Sequence, residues 1–165
     1  MSFRDDVNAV AKTPEQVIDE RRKQSIDSGM SCAKKDYENV KDEIKRKSQC
    51  GDYKTVGNKR IIKFDYNHCS VYNFVWMKSE WFDGIIDKGI QCELKDAVAL
   101  DAYKEELKRL AEEDEIEIHL LYVFRDDNGS EYSFDIPGNY SSVHMRNTCH
   151  VHRRSEYVLR CSFNF

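Results

Sequence analysis

The longest regular pattern of apolar positions lies near the start of the chain, between Thr13 and Gly51. Apolar residues recur there at steps of three and four, which places side chains on one face of a helix: Ile26, Met30, Ala33, Tyr37, Val40 and Ile44. Thr13, Pro14 and Gln16 form a capping signal, and Gly51 is typical of a helix stop. The pattern predicts a long helix that a kink or break at Ser28-Gly29 divides into two halves.

After residue 51 the apolar positions alternate, which is the period of a β-strand. The predicted strands occupy residues 53–56, 60–66, 71–78, 90–95, 115–125, 131–136 and 156–165. Residues 71–78 are apolar on both faces, so we expect this strand at the centre of its sheet. The exception to the alternation is a second helical stripe at about 97–113, which Asp96 caps.

This order of elements predicts an α+β fold, with a long N-terminal helix and a second helix packed on a largely antiparallel sheet of about five to seven strands. A chain of 165 residues suits one domain. We interpret residues 1–50 as a helical arm and residues 51–165 as a sheet with the inserted helix. Residues 30–44 are expected to cover the sheet, which leaves residues 14–28 available to a partner.

The charge and the cysteines narrow the class of protein. A net charge of -4 argues against a protein that binds nucleic acid mainly by neutralising phosphates. No signal-peptide pattern and no apolar run long enough to cross a bilayer is present, so we expect a cytoplasmic protein that makes no membrane contact. The six cysteines are then expected to be reduced thiols.

The candidate for catalytic chemistry is Glu93-Leu94-Lys95, with Asp83 or Asp87 before it. Two carboxylates can hold a divalent ion while a lysine activates water for phosphodiester cleavage. With a long helix before and a helix and strand after, residues 14–125 resemble the restriction-endonuclease-like, or PD-(D/E)xK, nucleases. The resemblance implies a nuclease that uses Asp83, Glu93 and Lys95 with magnesium or manganese. The alternative interpretation is a solvated face of the sheet.

A second cluster combines histidine with arginine near the C-terminus. His150 and His152 share a face if the segment is extended, and both are potential zinc ligands. The alternative is that they are partly exposed histidines beside Arg153 and Arg154. A basic patch either binds a phosphate, RNA or an acidic protein partner or balances the acidic helix at 101–113; it comprises Arg146, His150, His152, Arg153, Arg154 and Arg160.

The sequence lacks a Gly-rich phosphate loop and the common hydrolase motifs. Aromatic residues, which anchor interfaces as well as cores, make up 12% of the chain. We therefore interpret the protein as a non-enzymatic binding or regulatory module without a cofactor, of the kind found among bacterial or phage accessory proteins and inhibitors. Its partner would be another protein, or a second copy bound through the N-terminal helix. The predicted contact residues are Val17, Ile18, Arg21, Arg22, Arg153 and Arg154.

Overall fold

Helices and strands follow one another along the chain in the order that the apolar pattern predicts. The computed structural model describes residues 2–78, 91–125, 129–136 and 154–165. Its elements are α1 (Phe3–Val10), α2 (Pro14–Gln49), β1 (Lys54–Val56), β2 (Lys59–Tyr66), β3 (Val75–Lys78), β4 (Gln91–Leu94), α3 (Ala97–Glu113), β5 (Glu117–Arg125), β6 (Glu131–Asp135) and β7 (Arg154–Asn164). In these described ranges no helix is both long and apolar enough to span a membrane.

Five of the strands form one sheet in the order β1-β2-β7-β5-β6, and every neighbouring pair is antiparallel. The α+β class with an antiparallel sheet is therefore confirmed. The prediction of up to seven strands in one sheet exceeds what the structure shows, because β3 and β4 pair with each other and not with the main sheet. Alternate side chains of the sheet face α2 and α3 and form the core with them; the largest buried ones include Ile62, Tyr122, Tyr157 and Leu159.

The prediction of a central strand at residues 71–78 is wrong. A 3-10 turn spans Ser70–Asn73, and only Val75–Lys78 is a strand. The cause lies in α2, where the Asp36 carboxylate accepts hydrogen bonds from the Ser70 backbone N–H at 2.6 Å and the Ser70 hydroxyl at 2.9 Å. A carboxylate in that position stabilises the start of a helical turn. Val71 and Phe74 are buried in the core from this turn rather than from a sheet.

The predicted break at Ser28-Gly29 is also wrong, since α2 is continuous through it. Gly29 is buried where α2 crosses α3. A Cβ atom on Gly29 would lie 2.1 Å from the Ala99 carbonyl oxygen and 3.0 Å from the Ala102 Cβ. Glycine therefore serves here to bring two helix backbones close together rather than to interrupt the helix.

The second half of α2 lies along α3 more than on the sheet. Ser25 contacts Asp96 at the start of α3, and the Tyr37 hydroxyl donates to Asp114 just beyond its end, so the two helices run in the same direction. Further along α2, Asn39 donates to the Tyr66 hydroxyl of β2 at 3.1 Å. The expectation that residues 30–44 cover the sheet thus holds only for the later turns of α2.

The opposite face of the sheet carries an ion-pair cluster around Arg160. Its guanidinium donates to both carboxylate oxygens of Asp65, at 2.9 and 3.0 Å, and to Glu131 at 2.6 Å. Because β5 lies between β7 and β6 in the sheet, the contact of Arg160 with Glu131 spans the intervening strand.

Candidate protein-binding surface

The first two helices begin at capping boxes that are formed locally. In α1 the Ser2 hydroxyl accepts from the Asp5 N–H at 3.3 Å, and the Asp5 carboxylate accepts from the Ser2 N–H at 3.1 Å. Thr13 and Gln16 make the same reciprocal pair at the start of α2, at 3.2 and 2.9 Å. Each box satisfies backbone donors that a helix start leaves free. The capping predicted for Thr13 is confirmed.

From here on we restrict the name arm to residues 2–24, because these residues carry large apolar side chains that are open to solvent. Phe3 is 82% exposed, Val10 is 75% exposed and Ile18 is 63% exposed. Val7 is 45% exposed, and no residue of α1 is buried. The spacing of Phe3, Val7 and Val10 places them on one face of α1. Grouped apolar side chains on a surface are typical of a contact site.

The arm joins the rest of the protein at Ser25. The Ser25 hydroxyl donates to Asp96 at 2.7 Å, and the other carboxylate oxygen of Asp96 caps α3 by accepting from the Ala99 N–H at 3.0 Å. Since α3 starts only at Ala97, residues 14–24 of α2 extend beyond it. At 1.5 Å per residue this extension is about 16 Å long. Residues 14–24 of the arm therefore project from the body of the protein as a continuation of α2.

The exposed face of this extension continues the face that packs on α3. Ile18 and Arg22 precede Ile26 at steps of four, so all three lie along one stripe of α2. Ile26 is half-buried, whereas Ile18 and Arg22 are exposed. A helical stripe that α3 covers farther along is thus uncovered at its start, where a helix from another molecule would fit.

A cleft of about 420 Å³ lies next to this stripe, between α2 and α3. Ile26, Met30 and Val98 supply apolar lining, and Arg22 of the arm lines the cleft as well. Val98 is 36% exposed. The cleft extends the apolar surface of the arm onto the body of the protein.

A second groove, of about 680 Å³, lies between α3 and β5. Its apolar lining includes Leu107, Ile116 and Ile118, while Lys104 and Glu112 are among its charged residues. Lys108 and Glu112 approach only to 3.9 Å, and both are mostly exposed. Within this groove the His119 Nε2 lies 2.9 Å from a Glu117 carboxylate oxygen, and both side chains are mostly exposed.

A buried polar network fixes the packed part of α2. Asp36 is only 1% exposed, and its carboxylate accepts from the Tyr103 hydroxyl at 2.5 Å in addition to the two bonds from Ser70. Burial and the Asp36 charge raise the pKa of Tyr103, so that it remains a neutral donor. This network was not predicted from the sequence. The available signal was an acidic residue within the apolar stripe, directly before Tyr37.

The nuclease residues are only partly placed by the structure. Asp83 lies outside the described residues. Glu93 belongs to β4, opposite Trp76 in the register, and that strand is not part of the main sheet. Lys95 follows the strand, and its ammonium group donates to the Tyr72 carbonyl at 3.1 Å. The convergence of Asp83, Glu93 and Lys95 on a magnesium or manganese ion stays a prediction.

The histidine and arginine cluster is likewise largely untested. His150, His152 and Arg153 lie outside the described residues. Arg154 is the first residue of β7, and its backbone is opposite Arg125. Within the ranges that the structure does describe, no three His, Cys, Asp or Glu side chains are grouped so as to hold a metal ion.

The remaining predicted contact residues come together on the arm. Val17 is half-buried, and Ile18, Arg21 and Arg22 are exposed on the same two turns of α2. The contact residues predicted from the sequence did not include Phe3, Val7 and Val10, which α1 places on one face. Their spacing in the sequence was the available signal.

Comparison with known proteins adds no family. The chain matches no protein-family model, and no curated protein or solved structure is significantly similar to it. Among the surfaces described above, the arm combines exposed apolar groups, charges of both signs and an attachment to α3 at Ser25.

Proposed function

We propose that the protein is a non-enzymatic regulatory module that binds another protein molecule through the arm. The observation that carries the proposal is the exposure of Phe3, Val7, Val10 and Ile18 on two adjoining helices. Covering one such side chain completely contributes about 1.5 to 3 kcal/mol. Four of them supply enough favourable free energy to offset part of the entropy lost on association.

The shape of the arm favours recognition between helices. An apolar helix face is bound by a groove or a second helix that contacts positions separated by three and four residues. Ile18 lies at the centre of such a face, with Glu15 about one turn before it and Arg22 about one turn after it on the same flank. Charges around an apolar centre are typical of the rim of a protein interface. The partner surface is therefore expected to be apolar at its centre and charged at its edges.

Site-specific cross-linking tests the proposal. A photoreactive benzoylphenylalanine replaces Ile18 in one version of the full chain and Lys23, on another side of the same helix, in a matched version. We expect irradiation in cells that produce the protein to give a discrete protein adduct from position 18 and a much weaker one from position 23. Mass spectrometry identifies the protein that is linked.

An Ile18→Glu variant provides the second measurement, since a charge at the centre of an apolar contact opposes binding. We expect this variant to lose the identified partner while its circular dichroism and unfolding midpoint remain those of the wild type. Retention of every partner by Ile18→Glu, with equal adducts from both cross-linker positions, would show that the arm is not the binding surface.

A further inference from the structure

We infer that the partner of the arm is a second copy of this chain, bound antiparallel with Ile18 at the two-fold axis. The inference rests on the proposed function, because it concerns the same surface. It follows from three side chains on one face of α2, which are Glu15, Ile18 and Arg22.

Glu15 and Arg22 carry opposite charges that cannot meet within one helix. They are seven residues apart, about 10.5 Å along the helix axis, and both are exposed. Neither makes an ion pair with any residue in the described ranges. Glu20, by contrast, is already paired with Lys12 at 2.7 Å. The face around Ile18 thus presents two complementary charges without an intramolecular partner among those residues.

An antiparallel arrangement pairs these charges across the interface. With a two-fold axis at Ile18, position 15 of one helix is level with position 21 of the other, one residue from Arg22. Helical geometry places Glu15 and Arg22 on the same side of the Ile18 face, so each Glu15 meets the partner copy's Arg22. The symmetry produces two equal pairs, as in other self-complementary interfaces. A parallel arrangement would instead place Glu15 against Glu15.

The order of the neighbouring charges supports the same orientation. Residues 15–20 include three acidic side chains, and residues 21–23 are all basic. When two such segments cross in opposite directions, the acidic part of each lies nearest the basic part of the other. Two arms that lie antiparallel therefore place opposite charges next to each other.

Sedimentation equilibrium of the full chain at about 1 to 300 µM tests this interface, because a small helical contact is expected to associate in the micromolar range. We expect dimers in the wild type and monomers for Ile18→Asp. Glu15→Arg and Arg22→Glu should each weaken association roughly tenfold or more, since two attractions become two repulsions. The double variant Glu15→Arg, Arg22→Glu should recover most of the wild-type affinity.

Two control variants make the same changes of charge away from the Ile18 face. Asp27→Arg matches Glu15→Arg, and Lys35→Glu matches Arg22→Glu, at exposed positions of α2 outside the arm. Both controls should dimerise like the wild type, and circular dichroism should show native helix content for every variant. Rescue by the double variant, with both controls unchanged, is the result expected only of the antiparallel pairing.

Three outcomes would overturn the inference. The first is a wild-type chain that remains monomeric over the whole concentration range. The second is a dimer that Ile18→Asp leaves intact, and the third is a double variant no better than its single parents. If the chain is monomeric but position 18 still cross-links to a different protein, the proposed function stands and the second copy is excluded as the partner.

Discussion

Replacing Gly29 by alanine should stabilise α2 as an isolated helix but destabilise the protein, in which α2 contacts α3. In an isolated helix, alanine is about 1 kcal/mol more favourable than glycine. In the protein, the added methyl group would lie 2.1 Å from the Ala99 carbonyl oxygen. Carbon and oxygen atoms normally approach no closer than about 3.3 Å. The substitution therefore requires α2 and α3 to move apart by about 1 Å.

The structure allows the net effect to be estimated. Adding a methyl group to a well-packed core costs about 1 to 3 kcal/mol. The upper part of that range applies, because the obstacle is a backbone oxygen that cannot rotate away and Ala102 blocks a neighbouring path at 3.0 Å. Subtracting the gain in helix propensity leaves a destabilisation of about 2 kcal/mol. For a protein of this size the melting temperature should fall by about 4 to 8 °C.

Urea and thermal unfolding of Gly29→Ala beside Ser28→Ala measures this effect. Ser28 is exposed one position earlier in the same helix, so its replacement tests propensity without the clash. We expect Ser28→Ala to be neutral or to stabilise by a few tenths of a kcal/mol. If Gly29→Ala stabilises the protein to a similar extent, the close approach of α2 to α3 is incorrect.

Three further results are expected. Asp36→Ala should lower the free energy of unfolding by about 3 kcal/mol in urea denaturation, because it leaves the buried Tyr103 hydroxyl and a backbone N–H without an acceptor; an unchanged stability would contradict the network. Burial raises the pKa of Cys69 and of Cys161 to about 12 from 9.0. The folded state then retains protons that the unfolded chain loses, so stability should fall between pH 9 and 12 by about 1.4 kcal/mol per pH unit and per thiol. Cys69→Ala should lessen the measured slope by about 1.4 kcal/mol per pH unit, while buried tyrosines such as Tyr103 add to the slope that remains; an unaltered slope would refute the assignment. Alkylation of the native protein followed by peptide mass spectrometry should modify the exposed Cys50 well before Cys69 and Cys161; equal rates would contradict their burial.

Features that depend on a few consecutive residues could be predicted from the sequence. The Thr13 capping box, the alternation along β7 and the Gly57 turn, whose φ is +61°, all follow local rules. The Asp96 cap of α3 is a local feature as well. Each of these elements is specified by a hydrogen bond or a spacing within its own segment. For that reason the α+β class could be read from the chain.

Features that depend on distant residues could not. Gly29 looked like a weak point because helix propensity is a property of one segment, whereas its role comes from Ala99, 70 positions later. The turn at Ser70–Asn73 looked like a strand because its apolar residues satisfy either pattern. The buried Asp36, 34 positions earlier, decides between them. In both cases a tertiary contact overrides a local preference.

The arm was recognised only in part for a related reason. Apolar residues at helical spacing predict a face, but they do not tell whether the rest of the protein covers it. Ile18 and Ile26 belong to the same stripe, and only the position at which α3 begins makes Ile18 exposed and Ile26 half-buried. The sequence therefore suggested residues 14–28 as available, and the structure sets that limit at the contact between Ser25 and Asp96.

Because α2 is one continuous helix, the residues that stabilise the fold and the residues available for binding lie on the same element, on either side of Ser25. From Ser25 onward its contacts with α3 determine whether the protein folds, whereas before Ser25 its side chains contribute little to the core. Changes at Gly29 should therefore alter stability first and affect binding only by tilting the whole extension. Changes at Ile18 should alter binding with no loss of stability, because the exposed side chain leaves no cavity behind. If the helix were broken at Ser28-Gly29, a change at Gly29 could not tilt the arm in this way, because the arm would then move independently of the contacts that hold α2 in place.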